Sequence, residues 1–280
     1  MLNGSRDQRY FDVRFYNRLL DSAAEQRSKS KATQAEAMRL VRRELIAAGT
    51  DAPPTDLKRL AKHLGVQRVA IVPLAMRGRL MLSGSDVEIE INGDLDEWSR
   101  RHTIAHELVH LVLEKDRVAM ARAAGSNVKK RIAHGLIEQL CDLGADEILL
   151  PREWLAEKLK RSRPSMDLVV HISNHLDLPV DFVATRIVNL GLQPWRTIWC
   201  GRSKRKSYLV KSAPAWDELF LAGLDILDAD ESPVTKCWDH NEVEKGTVVI
   251  RIHGELHDFP SHCLKIAHDS VFGILYTGSR

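Results

Sequence analysis

The sequence predicts a mixed α+β chain in which helix-type and strand-type stretches follow one another in blocks. Three observations predict it. Between Val66 and Asn92 the runs VAIVPL, RLML and VEIEIN are short, and the last alternates apolar and polar residues with period two. From Leu95 the apolar period lengthens to three and four residues and stays there for most of the next hundred residues. After Thr197 strand-type runs return: TIWCG, SYLV, TVVIRIHG and VFGILYT. With 280 residues, 44% of them hydrophobic and 28% charged, the chain has enough apolar material for ordinary burial and lies far from disordered, collagen-like or membrane compositions. Its formal charge of +3 is too small to mark phosphate binding as the main task.

Taken in order, residues 1–50 read as a helical segment, with Phe11, Phe15, Leu19 and Leu20 at helical spacing, a basic stretch RSKSK, and then Met38, Leu40, Val41 and Leu45. Pro53 and Pro54 open the next part. Thr55 stands as a helix N-cap before DLKRLAKHL, and Gly65 is the stop signal. The three short runs that follow are separated by Gly-bearing turns, so a small antiparallel sheet ending at Asn92-Gly93 is expected. DLDEWSRRHTIAHELVHLVLEKD reads as one helix with Ile104, Leu108, Leu111 and Val112 on its apolar stripe. Asn127 can cap a second long helix that Pro151 closes, and REWLAEKL gives a short third. Residues 165–190 give two short helices around the break DLP.

These shifts divide the chain into an N-terminal helical segment (1–50), a main α+β domain (51–163), a helix-turn-helix-like pair (164–195) and a β-rich C-terminal domain (196–280). The N-terminal twenty residues break every apolar stretch with charge, and no run approaches the roughly 20 apolar residues of a membrane span. Cys141, Cys200, Cys237 and Cys263 form no CxxC pair, so reduced thiols and a cytoplasmic location are expected.

The chemistry concentrates at His106-Glu107-Leu108-Val109-His110, an HExxH motif. On a helix, positions i and i+4 share a face, so both imidazoles can reach one Zn²⁺ with the glutamate beside them. A catalytic zinc site needs a third protein ligand. Glu138 and Asp142, again four residues apart, offer it: Glu138 as ligand, Asp142 as acceptor of the outer ring N–H of a ligand histidine.

RRHTIAHELVHLVLE followed by EQLCDLGADEILLP resembles the ImmA/IrrE family of zinc metallopeptidases, whose members act on helix-turn-helix repressors. The resemblance covers about residues 50–195 and rests on Arg101, Thr103, Ile104, Ala105, His106, Glu107 and His110, then on Glu138, Asp142, Ala145, Glu147, Leu149 and Pro151. It implies a zincin-like domain with zinc held by His106, His110 and Glu138, and Glu107 as catalytic base. It also implies an endopeptidase that cuts a helix-turn-helix transcriptional repressor to relieve repression in a stress, phage or mobile-element response. The alternative is a zinc-stabilised regulator that sequesters a repressor or antitoxin-like partner without cutting it. Three positions depart from the family pattern: Val109 stands in place of glycine, His102 in place of an aromatic, and Gly144 in place of phenylalanine.

Other residues carry weaker signals. His134, one turn before Glu138, is a candidate oxyanion donor, and His102 reads as packing or rim polarity because a third ligand from one helix would crowd the open metal position. Cys141 reads as packing. The pair at 165–190 has few basic residues where base reading needs them, so direct DNA binding is not expected, and Arg202–Lys206 reads as a solvated loop.

Overall fold

The computed structural model describes residues 24–83, 86–123, 134–162, 165–203, 206–213, 232–240, 242–252, 255–267 and 270–276. The packing divides the chain into two compact units. One comprises the residues up to Asp51, Leu57–Leu95 and Arg100–Ile148; the other comprises Ala52–Asp56, Asp96–Ser99 and the residues from Leu149 onward.

The first unit starts with helix α1 (Ala24–Ala48). Ala37, Leu40, Val41, Leu45 and Ala48 are buried, the three- and four-residue steps that put one stripe on the core. Phe11, Phe15, Leu19 and Leu20, and the cap expected at Asn127, lie outside the described residues. Helix α2 (Leu57–His63) ends as its sequence requires: Gly65 takes φ +84°, and the amides of Gly65 and Val66 donate to the carbonyls of Lys62 and Ala61. This double closure satisfies the last carbonyls of the helix, and glycine adopts its left-handed turn without steric cost.

Strands β1 (Arg68–Val72), β2 (Gly78–Ser83) and β3 (Asp86–Asn92) form a sheet in the order β1-β3-β2. The expectation of an antiparallel sheet is corrected here. β2 and β3 are an antiparallel hairpin, but β1 pairs parallel to β3, with Val69 opposite Ile89 and Ile71 opposite Ile91. Burial explains which strand takes the centre. Ile89 and Ile91 are fully buried, whereas Ile71 is 60% and Leu82 56% exposed, so the strand with the most apolar surface to hide is flanked by the other two.

Helix α3 (Glu97–Lys115) begins at a cap in which Asp96 accepts from the Ser99 amide at 2.8 Å. In its middle turns Thr103, Ala105, Glu107, Leu108, Val109, Leu111, Val112 and Leu113 are buried. A short helix α4 (Arg117–Ala123), not expected from the sequence, follows it and buries Met120. Helix α5 (His134–Leu149) carries the second motif. It is tied to α1 by Arg42, whose Nε donates to Glu147 Oε1 at 2.7 Å; the Glu147 side chain is 1% exposed.

In the second unit, helices α6 (Arg152–Lys160), α7 (Met166–Leu176) and α8 (Val180–Asn189) precede a five-stranded antiparallel sheet. Its strands are β4 (Trp195–Ser203), β5 (Lys206–Ala213), β6 (Glu244–Ile252), β7 (Glu255–Ala267) and β8 (Ser270–Tyr276), in the order β5-β4-β8-β7-β6. Asp177, at φ 52°, breaks the chain between α7 and α8. Phe272 and Ile274 of central β8 join the core of α6–α8, while Val271 and Leu275 pack with Ile198, Val248 and Ile250 on the other face. That face is covered by helix α9 (Pro233–Asp239), capped by Ser232. A strand buried on both faces reads as a continuous apolar run, which is why VFGILY is legible. β7 is not among the expected strands, because Pro260 interrupts it; the pairs with β8 begin only at Ser261, so the missing N–H falls outside that ladder.

Candidate metal centre

The site is made where α3 faces α5. His106 and His110 stand one turn apart, and their Nε2 atoms are 3.1 Å from each other. Glu138 approaches from α5 with Oε2 at 3.3 Å from His106 Nε2 and Oε1 at 3.4 Å from His110 Nε2. Two donors each about 2.0–2.1 Å from a tetrahedral ion stand about 3.3–3.4 Å apart, so these contacts are close to the edge lengths of such a tetrahedron, with each imidazole facing a different oxygen of Glu138. The outer nitrogen of His106, Nδ1, lies 2.9 Å from Asp142 Oδ1. With the proton on Nδ1 donated to that carboxylate, the Nε2 lone pair points at the centre.

Three rungs join the two helices. His110 faces Glu138, His106 faces Asp142, and His102 Nε2 lies 3.5 Å from Asp146 Oδ1. Each step of four residues back along α3 meets a step of four forward along α5, the register of an antiparallel pair. Asp146 carried no signal of its own in the sequence; it is found by continuing the Glu138, Asp142 spacing one turn further.

Glu107, between the two histidines on α3, is only 7% exposed. Burial raises its pKa above the ordinary carboxylate value and nearby Glu138 adds to the rise, against the lowering effect of His106 and of the Leu80 backbone amide, which donates to the carboxylate. For His106, burial disfavours the charged ring, but the Asp142 hydrogen bond and the charges of Asp142, Glu107 and Glu138 outweigh it and leave the pKa raised. The Cys141 thiol lies in the same place: its Sγ and ring nitrogens of His106 and His110 are all within 4.8 Å of one another, a group that could hold a metal ion. It is fully buried, and desolvation together with the neighbouring carboxylates pushes its pKa up.

A cavity of about 200 Å³ opens on these groups, lined by His102, Thr103, His106, Glu107, Glu138 and Asp142 with Arg77 and Gly78 from the start of β2. Sequence reading did not single out the last two. Gly78 is required by close approach, since a Cβ there would stand 2.5 Å from Thr103 Cγ2. His134 is the first residue of α5, and its side chain lies outside the described residues.

Residues 83–188, which include both motif helices, match the family model described as the IrrE N-terminal-like domain. This segment belongs to the ImmA/IrrE metallopeptidase family. No curated protein matches the chain. A solved structure, a Mycobacterium tuberculosis transcriptional regulator, is 12% identical with a TM-score of 0.51, over 86% of this chain and 76% of that one. At that identity the likeness concerns the fold. The IrrE-like segment contains every rung of the α3–α5 ladder, and it ends within α8, ahead of the five-stranded sheet. Among the described residues no helix is long and apolar enough to cross a membrane.

Proposed function

We infer that the chain is a zinc-dependent endopeptidase whose metal is held by His106, His110 and Glu138, with Glu107 as catalytic base. The observation that carries this reading is the convergence of four donor atoms from two helices, with contacts of 3.1–3.4 Å, beside a buried glutamate. The donor set of two imidazoles and one carboxylate suits Zn²⁺ and leaves one position open. A zinc ion there supplies an electrophile that acidifies water and polarises a peptide carbonyl.

The chain's own groups do the proton work. Glu107, whose raised pKa brings it nearer neutrality, takes a proton from the attacking water and passes it to the departing amine nitrogen as the C–N bond breaks. Asp142 keeps the His106 ring in one tautomer and orientation. Glu138 is favoured over Cys141 as third ligand because its oxygens face both imidazoles at tetrahedral-edge distance, while the Cys141 thiol is held protonated by burial.

The proposed substrate is a protein, a helix-turn-helix transcriptional repressor, in keeping with the family to which the segment belongs. Glu107→Gln should retain zinc and bind the repressor yet leave it intact by mass, while the wild type cuts it. Binding without cutting by the wild type would favour sequestration instead, and undiminished cutting by the variant would remove Glu107 from its role. Glu138→Ala should lose zinc where Cys141→Ser keeps it; the reverse result would exchange the two assignments.

A further inference from the structure

The ladder between α3 and α5 has a rung that the peptidase reading does not use. We propose that His102, which lines the same cleft, and Asp146 beside it form a second, weaker site for a divalent transition metal.

Three observations support it. His102 Nε2 and Asp146 Oδ1 are 3.5 Å apart, and an imidazole nitrogen and a carboxylate oxygen bound to one tetrahedral zinc at about 2.0–2.2 Å stand about 3.3–3.6 Å apart. Both side chains are mostly buried, at 19% and 23% exposure, so their positions are fixed by packing rather than by chance encounter. The charge of the cleft also leaves room for a cation. Glu107, Glu138 and Asp142 line the cavity and Asp146 stands behind His102, four carboxylates against the guanidinium of Arg77 and the two charges of one zinc ion. The ion would sit one turn along α3 from His106, against a residue that lines the cavity, so under the peptidase reading its binding should inhibit cleavage as zinc rises. The site itself stands whether or not the chain cuts peptides, because its readout is the number of ions bound.

Equilibrium dialysis of the full chain against Zn²⁺ should give two ions per chain, one tight and one weaker. His102→Gln and Asp146→Asn should each weaken the second ion at least about tenfold while leaving the tight one, and Glu138→Gln should do the reverse. One ion per chain in the wild type overturns the proposal. So does a second ion indifferent to both variants, the result expected if the exposed, stacked His171 and His175 rings of α7 had captured it instead. Should either variant fail to fold, Co²⁺ in the wild type decides: the second equivalent should broaden the His102 ring resonances, and unbroadened His102 signals with two ions bound overturn the assignment.

Discussion

Val109 fills the space that the missing side chain of Gly144 leaves: both its γ-carbons lie 2.8 Å from where a Gly144 Cβ would be. The two are partners across the α3–α5 contact, a larger residue on the helix of the histidines meeting bare backbone on the helix of the carboxylates. The proposed metal site draws on both helices, so their close approach at this pair bears on it. Gly144→Ala should cost about 1–3 kcal/mol by overpacking, and Val109→Ala should cost about 1–3 kcal/mol through the cavity it opens. The double variant should be more stable than the sum of the two, by at least about 0.5 kcal/mol, in urea unfolding of the metal-free protein. Additive losses would show that the two side-chain positions do not share this space.

Asp142 orients His106 without being among the proposed metal ligands. Asp142→Asn keeps the shape but loses the charge that holds Nδ1–H, and zinc affinity should fall about 10- to 100-fold. Competition with a chromogenic chelator measures it. An affinity unchanged by the substitution would mean that helix packing alone fixes the ring.

Acidification should release the metal early. His106 has a pKa above its ordinary 6.5 in the metal-free fold: burial lowers it, but Asp142 and the other carboxylates raise it more. A raised histidine contributes stability to the metal-free protein that is fully present below the unfolded value and is lost as pH rises through the folded one. Zinc needs the neutral ring, so its affinity should fall as pH drops through that raised value, by about tenfold per pH unit for each proton taken up. Melting of metal-free and zinc-loaded protein across this window should therefore converge on the acid side. In Asp142→Asn the midpoint of the decline in zinc affinity should move to lower pH, because the hydrogen bond and charge of Asp142 that raise His106 are gone.

Glu147 shows how a motif residue can be structural. It lies in the stretch that carries the family resemblance, yet its buried carboxylate meets Arg42 from α1 rather than the cleft. Arg42→Met should destabilise the fold by roughly 2–4 kcal/mol, less than a fully buried pair because Arg42 is itself part-exposed. Glu147→Gln, which takes the ion-pair partner only from the part-exposed Arg42 rather than from a buried carboxylate, should cost less. Zinc affinity should stay within a few-fold of wild type in both, as read by chelator competition on folded protein.

How much of this was legible in the sequence depends on the range of the interaction. The meeting of His106 and His110 with Glu138 and Asp142 was readable because helical periodicity alone puts i and i+4 on one face, and the family pattern joined the two helices. The parallel pairing of β1 with β3 was not, since short connections suggest a simple meander and only the relative burial of Ile89 and Ile91 selects the centre. β7 was hidden by Pro260, whose tolerance depends on where a neighbouring strand stops. Val109 and Gly144 looked like two unrelated departures from a family pattern, and become one compensated exchange only when the helices are seen side by side. Asp146 is unremarkable until α3 places His102 opposite it.

The remaining cysteines bear on alkaline stability. Cys200, Cys237 and Cys263 are buried in one core beneath α9, and none of the four cysteines is in a disulfide. Burial pushes the Cys237 thiol up to about 12 and that of Cys263 well above its ordinary 9.0. Between the unfolded and folded values the native state holds protons that the unfolded chain has released, so the stabilising contribution is complete below pH 9 and is lost as pH rises toward the folded values. Urea midpoints should accordingly fall from pH 9 upward, and less so in Cys237→Ala measured against its own value at pH 7. At neutral pH these thiols should react with iodoacetamide only at the rate of global unfolding; fast labelling of Cys237 or Cys263 in the native protein would show that the core beneath α9 opens locally.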